Sequence, residues 1–186
     1  QNKMTVVDHY GDDEKLLAKA MALCCDAEID ANGKVTGEPT EAALVSYAYS
    51  LEMHKNDLIA SAPRIGEAPF DSGRKMMSTV HETADGIVQY TKGAPDEILK
   101  KCKYALVGGS VVEITDEIKT AALKDNKRMA DKALRVLACA YKTYDSKPTD
   151  FAPEALENDL IFIGLTGMID PVRPEVKAAI DECRQA

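Results

Sequence analysis

Two strand-length segments separated by a short turn constrain the fold of this chain more than any other feature. The segments span residues 69–80 and 87–92, and Asp85-Gly86 lies between them. An Asp-Gly pair readily adopts the positive φ that two-residue hairpin loops require. Pro95 follows closely and fits the first turn of a helix. The pattern therefore predicts a β-hairpin that leads directly into a helix.

The register of this hairpin decides which side chains share a face. With Asp85 and Gly86 as the turn residues, Thr79 lies opposite Lys92. Side chains alternate along a strand, and directly opposed residues point to the same face. The residues expected on this shared face are Lys75, Met77, Thr79 and Lys92.

This face has two interpretations. Lys75 and Lys92 would lie roughly 13 Å apart along it, with Met77 between them and Phe70 nearby. Two cations at that spacing suit a long polyanion with an aromatic head, whereas the alternative is an ordinary solvated strand face. A register slip of one residue would move Lys92 to the other face and remove the arrangement.

The composition excludes several classes of function. The formal net charge of −8 argues against general binding to nucleic acid or to an anionic lipid surface. The 5 cysteines include no Cys-x-x-Cys pair, which indicates reduced, buried thiols with no disulfides and no metal site. No run has the length and apolar character of a membrane span, so we expect a soluble chain.

The remaining pattern alternates between helices and strands. Short strands are expected at residues 4–7 and 65–70, buried strands at 134–141 and 160–169, and a second hairpin at 104–114. Helices are expected to begin near residues 11, 37, 56, 95, 115 and 174. Thr115 is expected to cap the helix that runs to about residue 133.

Two charged residues stand out against this pattern. Arg135 interrupts an otherwise apolar strand, so its charge must form a salt bridge or reach solvent or an anion. Glu41 lies in the first turn of the second helix, where it either complements the helix dipole or accepts from a donor in the pocket.

Six segments in order resemble one family, the P-type cation-transporting ATPases, in the nucleotide-binding domain of the type II, calcium-pump-like branch. They are residues 37–44, Phe70 with 74–78, 92–95, 134–138 and 167–174, together with residues 1–5, which are similar to the continuation of the family's phosphorylation signature. The resemblance implies an α+β fold with a mainly antiparallel twisted β-sheet flanked by helices.

The same resemblance implies an adenine-nucleotide site. Phe70 would stack on adenine, Met77 would pack against the base, and Arg135 would contact the phosphates. Ser72 departs from the pattern of some calcium pumps, which carry arginine there, and Arg74 could substitute for it. The complete implied set is Thr40, Glu41, Phe70, Arg74, Lys75, Met77, Lys92, Gly93, Ala94 and Arg135. We also expect Lys92→Glu to weaken nucleotide binding with the fold intact.

The resemblance also implies how the chain is organised. Residues 1–8 would be a linker strand from a phosphorylation domain, 9–158 the nucleotide-binding domain, and 159–186 the returning strand and start of the second phosphorylation segment. Asp170 and Arg173 would lie at that domain's edge. The chain then looks like a monomeric piece of a longer pump, cytoplasmic and attached to a plasma-membrane protein. Its partners would be the phosphorylation, actuator and transmembrane domains.

In the whole enzyme, the family implies transfer of the γ-phosphoryl of Mg²⁺-ATP to an aspartate, coupled to transport of calcium or another cation. That aspartate would precede Gln1, so we expect this chain to bind ATP and hydrolyse nothing. The alternative is a non-catalytic regulatory or protein-interaction module. A free-standing kinase-like transferase fits poorly because the chain has no Walker A pattern.

Overall fold

The computed structural model describes residues 3–170 of the chain. The strands are β1 (Thr5–Tyr10), β2 (Glu28–Ile29), β3 (Val35–Thr36), β4 (Arg64–Asp71), β5 (Met76–Thr83), β6 (Gly86–Gly93), β7 (Cys102–Val107), β8 (Ser110–Glu113), β9 (Arg135–Tyr144) and β10 (Leu160–Ile169). The helices are α1 (Glu14–Leu23), α2 (Pro39–Ser50), α3 (Lys55–Ser61), α4 (Pro95–Lys101), α5 (Asp116–Asp131) and α6 (Pro153–Leu156). Arg173 and the helix predicted from residue 174 lie outside the described residues.

An 8-stranded sheet organises the molecule, in the order β4-β5-β6-β9-β10-β7-β8, with β1 also paired to β10. The pairing of β10 with β7 is parallel, and the other pairings in this sheet are antiparallel. Strands β2 and β3 form a separate small ribbon. The predicted α+β class with a mainly antiparallel sheet is confirmed.

Strand β10 lies at the centre of the pairing. It pairs with β9 along residues 161–168, with β7 at its beginning and with β1 at its end. Thr5 pairs with Ile169, so the two ends of the described region are adjacent. This proximity is what an inserted domain would require, and the domain boundaries themselves stay a prediction.

Each face of the sheet is covered by its own helices, because neighbouring strand residues point in opposite directions. Met77 and Cys139 pack with Leu17 of α1 in one core. Met76 packs with Ile98 of α4 in the other core, which also contains Met129 of α5. Within residues 3–170, no helix has both the length and the apolar character needed to cross a membrane.

The helix starts follow local rules that the sequence displays. Pro39 and Pro95 occupy the first turns of α2 and α4. The Thr115 side chain accepts a hydrogen bond from the Ile118 amide at 3.2 Å, so the predicted N-cap of α5 is confirmed.

The predicted hairpin is present, but its register differs from the prediction by two residues. Lys92 lies opposite Met77, and Thr79 lies opposite Tyr90. A shift of two preserves the alternation, so Met77, Thr79 and Lys92 still share a face.

The register differs because of the turn itself. Thr83 pairs with Gly86, which leaves Ala84 and Asp85 as the loop residues. The Thr83 hydroxyl donates to the Gly86 carbonyl at 2.9 Å and accepts from the Asp85 amide at 3.2 Å. Positive φ is confined to Gly86 in this turn, so the Asp-Gly pair does not supply two turn residues.

The predicted position of Lys75 on the strand face is wrong. Strand β5 begins at Met76, and Lys75 is an exposed residue of the preceding turn with a φ of 62°. The Lys75 amide donates to the Asp71 carbonyl at 2.7 Å, which closes that turn. A side chain in a left-handed turn does not follow the strand alternation that the prediction assumed.

Candidate functional site

A cavity of about 430 Å³ opens where β4, β5, β6 and β9 meet the beginning of α2. Its lining combines apolar side chains with charges of both signs. The lining residues are Asp26, Glu38, Thr40, Glu41, Glu67, Pro69, Phe70, Met77, Lys92, Gly93, Arg135 and Leu137. Seven of them belong to the predicted site: Thr40, Glu41, Phe70, Met77, Lys92, Gly93 and Arg135.

Lys92 lies at the bottom of the cavity and is 6% exposed. Its Nζ donates to Glu41 Oε2 at 2.8 Å and also to the carbonyl oxygen of Cys24. Burial alone would lower the pKa of Lys92, but the neighbouring Cys24, Cys25 and Glu41 raise it by a larger amount. Lys92 is therefore held as a cation inside an ion pair.

Glu41 is placed by the start of α2. The Glu38 side chain caps this helix by accepting from the Glu41 amide at 3.1 Å. The second carboxylate oxygen of Glu41 accepts from the Asp26 amide at 3.2 Å. Glu41 thus complements the helix start and also pairs with the pocket cation, so both interpretations of this residue hold.

Phe70 and Met77 supply the apolar surface of the cavity. Phe70 is 61% exposed at the end of β4, although large apolar side chains are usually covered. Met77 is buried in the β5–β6 hairpin and forms part of the cavity wall. An exposed ring beside a buried thioether offers a flat ligand an aromatic surface for stacking.

Arg135 provides a cation at the mouth of the cavity. It is the first residue of β9, and its side chain is exposed. Within residues 3–170, no side chain or carbonyl group forms a hydrogen bond or ion pair with this guanidinium. No described residue forms a structural salt bridge with Arg135, so its charge reaches solvent, and contact with an anion stays a prediction.

The other charges of the lining have partners. Arg64 pairs with Asp26 at 2.9 Å and with Glu67 at 3.0 Å, and Lys92 pairs with Glu41. Of the two lining cations that the structure describes, Lys92 is paired and Arg135 has no ion-pair partner, so Arg135 is available to an external anion.

Three predicted site residues do not line the cavity. Arg74 points to the opposite side of the sheet, where its Nε donates to Glu157 Oε1 at 2.6 Å. Lys75 is exposed in the turn before β5. Ala94 is the N-cap residue of α4, and its amide donates to the Lys75 carbonyl at 3.0 Å. The structure therefore separates these residues from the other seven.

Gly93 is needed for close packing as well as for the lining. A Cβ atom at this position would overlap the Lys75 carbonyl oxygen and would lie 2.6 Å from Met76 Cβ. The glycine therefore lets the β6 backbone pass next to the turn that precedes β5.

Sequence reasoning missed five lining residues: Asp26, Glu38, Glu67, Pro69 and Leu137. Glu38 and Leu137 lie inside the segments 37–44 and 134–138, and Pro69 directly precedes Phe70, so these positions could have identified them. Asp26 carries no local signal, because its partner Arg64 lies 38 residues away. Glu67 pairs with the same arginine at a separation of only three residues, on a strand for which the sequence gives no sign of a cavity.

The donor set fits a nucleotide better than a metal ion bound by the protein alone. No group of three or more His, Cys, Asp or Glu side chains in the described part of the chain is arranged to hold a metal. Cys24, Cys25, Cys102 and Cys139 are buried free thiols. An aromatic ring and an unpaired guanidinium on one cavity match a flat base that carries phosphates.

Comparison with known proteins identifies one family. The family model described as P-type ATPase, cytoplasmic domain N, matches residues 14–175. Calcium-transporting ATPase 1 of Bacillus cereus is 42% identical over 200 residues, covering 100% of this chain and 22% of that protein. Calcium-transporting ATPase 1 of Lactococcus lactis is 40% identical over 199 residues, covering 100% and 23%. The chain thus spans about a fifth of the length of these relatives.

Proposed function

Because the chain belongs to the family of P-type ATPase cytoplasmic N domains, we propose that it binds ATP in the Phe70–Arg135 cavity. In the whole pump it would present the γ-phosphate of Mg²⁺-ATP to an aspartate on a neighbouring domain. Transfer of this kind depends mostly on positioning and charge neutralisation.

One observation carries this proposal: an exposed aromatic ring and an unpaired guanidinium line one cavity. Phe70 at 61% exposure can stack on adenine, and Met77 can pack against the same base. The Arg135 guanidinium is free to bind phosphate oxygens. The Lys92–Glu41 pair lies deeper in the cavity, where Glu41 can accept from the adenine amine while Lys92 holds it in place.

The cavity charges also suggest that binding is weak. Lys92 is neutralised by Glu41, and the acidic Glu38 side chain lies in the same lining. Arg135 is then the main attraction for a polyphosphate, with Mg²⁺ reducing the phosphate charge. We propose that this ion arrives with the nucleotide.

The activity of the whole protein extends the proposal further. Relatives named calcium-transporting ATPases support an ATP-driven cation pump, with calcium as the transported ion. This chain would then be a cytoplasmic domain of a plasma-membrane protein, next to phosphorylation, actuator and transmembrane domains. The phosphoryl acceptor would lie outside these 186 residues, so the chain alone would bind ATP without turnover.

An NMR titration of the 186-residue chain with Mg²⁺-ATP tests the proposal. We expect saturable shift changes at Phe70, Met77, Lys92 and Arg135, and a Phe70→Ala variant should bind about ten-fold more weakly, since stacking contributes about 1–3 kcal/mol per base. Lys127→Ala is a matched control on an exposed face of α5, with its side chain 76% exposed.

Two outcomes would contradict the proposal. An absence of nucleotide-dependent shifts at millimolar ATP would favour the alternative, a non-catalytic protein-interaction module. Steady phosphate release by the pure chain would show that the chain itself supplies a phosphoryl acceptor or positions a water for attack. That result would contradict the proposal that the chain only binds ATP.

A further inference from the structure

Strand β4 is irregular just where it carries Phe70. It pairs with β5 at Ala68–Ser78 and again at Asp71–Met76, so three residue steps on β4 face two on β5. The extra residue of such a bulge interrupts the ladder and re-aims the side chains around it. The sheet pairing alone therefore does not fix the backbone that presents the Phe70 ring.

The Arg74 side chain supplies hydrogen bonds at this bulge. Its Nη2 donates to the Pro69 carbonyl at 2.8 Å and to the Ala68 carbonyl at 3.3 Å. These are the two carbonyl groups directly before Phe70. The guanidinium thus binds the strand on the side of the sheet away from the cavity, while the Phe70 ring lines the cavity.

Arg74 is itself held by a buried carboxylate. Glu157, which directly follows α6, is 3% exposed and accepts from Arg74 Nε at 2.6 Å and from Arg74 Nη2 at 3.2 Å. The Ser78 hydroxyl donates to Glu157 Oε2 at 2.7 Å. A two-point contact between guanidinium and carboxylate fixes the plane of the arginine as well as its distance.

We propose that Arg74 and Glu157 are positioning residues that hold Phe70 in place for stacking on the nucleotide base. This inference rests on the proposed ATP-binding function. It replaces a phosphate contact by Arg74 with an indirect role, because Nε and Nη2 of the guanidinium already donate to Glu157 and to the Pro69 carbonyl on the far side of the sheet.

Arg74→Lys and Glu157→Gln test the proposal through a series of ligands. A lysine keeps the charge but lacks the planar fork with which the guanidinium makes its two-point contact to the carboxylate. We expect each variant to weaken adenosine, AMP and ATP binding by the same factor, about three- to ten-fold. In a Phe70→Ala background, the same changes should cause no further loss. Lys127→Ala is the control and should leave all three affinities unchanged.

A second readout needs no nucleotide. The chain has 3 phenylalanines, so 4-fluorophenylalanine labelling gives a separate ¹⁹F signal for each. We expect Arg74→Lys to shift or broaden the Phe70 signal and to leave the Phe162 signal in place, because Phe162 packs in the core that contains Ile98 and Met129. An unchanged Phe162 signal also shows that the variant is folded.

The outcomes distinguish a failure of the positioning role from a failure of the proposed ATP binding. A loss confined to ATP, with adenosine unaffected, would overturn the positioning role in favour of a direct phosphate contact. Nucleotide binding by the wild-type chain, together with an unchanged Phe70 signal in Arg74→Lys, would overturn the positioning role of Arg74 and Glu157 alone. A wild-type chain that binds none of the three ligands would overturn the proposed function itself.

Discussion

Lys92 combines a permanent charge with nearly complete burial, and this combination decides what the residue can do. Its ammonium group donates to Glu41 and to the Cys24 carbonyl, which lies just after α1. A buried charge is tolerated when such partners surround it. Lys92 therefore links α1, α2 and β6, and any direct contact with a nucleotide would be made by a cation that is already paired.

This setting changes the expected effect of substitutions at Lys92. Lys92→Met leaves the Glu41 carboxylate without its cation, so we expect the free energy of unfolding to fall by about 2–3 kcal/mol in urea denaturation. Lys92→Glu should be worse, since it places two carboxylates together, contrary to the expectation of an intact fold. Combining Lys92→Met with Glu41→Gln should recover part of the loss. Equal stability of Lys92→Met and wild type would contradict the structural role.

Arg135 offers the opposite case, an exposed cation with no described partner. Arg135→Ala should leave the melting temperature within about 1 °C of wild type, because surface changes away from contacts cost little. It should weaken ATP binding by about three- to ten-fold and adenosine binding hardly at all, as expected for a charge-assisted phosphate contact. Calorimetric titration with both ligands measures this, and equal losses for adenosine and ATP would argue against a phosphate contact.

His81 makes stability depend on pH. Its ring lies between the Ala62 carbonyl and the Thr79 hydroxyl, each at 2.8 Å. A carbonyl oxygen only accepts, so we assign the hydrogen to Nδ1 and let Nε2 accept from Thr79. Burial lowers the pKa of His81 from 6.5 to about 4, despite the opposing effect of the Ala62 carbonyl.

The sign of this dependence follows from proton binding. The unfolded chain binds a proton at His81 near pH 6.5, whereas the folded chain resists it down to about pH 4. The free energy of unfolding should therefore fall as the pH drops below 6.5, by about 2 kcal/mol between pH 7.5 and pH 5. Urea denaturation at both pH values measures the change. In His81→Gln this part of the pH dependence should vanish, and its persistence would assign the effect to other groups.

At the scale of elements, the β5–β6 hairpin and the turn before it form one unit. Gly93 ends β6, and the following Ala94 amide bonds the Lys75 carbonyl of that turn. The left-handed conformation of Lys75 is stabilised by this contact and by the Asp71 carbonyl. A side chain on Gly93 would enter this contact directly.

Gly93→Ala should therefore destabilise the domain by about 1–3 kcal/mol, as expected when extra volume is forced into a packed site. The nearest atom is the Lys75 backbone carbonyl oxygen, followed by Met76 Cβ and Cα, and none of these atoms can move aside without moving the backbone. Gly73→Ala is the matched control, because the nearest atom to its added Cβ is the end of the flexible Asp71 side chain, 2.8 Å away. Urea denaturation should show a smaller loss for the control, and equal losses would mean that the packing argument fails.

Most helices and strands could be predicted from the sequence because their causes are local. Proline in the first turn of α2 and α4, the Thr115 cap and the apolar run of β10 are all written within a few residues. The hairpin register could not be predicted, because hydrogen bonds of the Thr83 side chain determine which residues form the loop. The position of Lys75 outside the strand could not be predicted for a similar reason, since its carbonyl accepts a hydrogen bond from the amide of Ala94, which is distant in sequence.

At the scale of the molecule, ligand binding and folding are linked. A ligand that binds the folded chain alone stabilises it by RT ln(1 + [L]/Kd), which is about 1.4 kcal/mol at ten times Kd. For a domain of this size, we expect ATP at that concentration to raise the melting temperature by about 3–6 °C. GTP should raise it less if Glu41 recognises the adenine amine. No shift with ATP at ten times the Kd measured by titration would contradict binding to the native fold.

The sequence by itself determined the identity of most helices and strands and, through the order of six motifs, the family. It also supplied seven of the cavity residues, because each of them belongs to one of those motifs. These features depend on short-range preferences and on residue types, which one chain displays directly.

Only the tertiary structure decided which charges are free. Lys92, Arg74 and Arg135 look alike in the sequence, yet Lys92 is paired with Glu41 and Arg74 with Glu157. Their partners lie 51 and 83 residues away along the chain. Charge pairing over such separations depends on how the sheet brings its strands together. The residues around each charge therefore do not predict its partner. Within residues 3–170 Arg135 has no such partner, which supports the proposed phosphate contact, and Arg74 donates to the Pro69 carbonyl of the strand that carries Phe70.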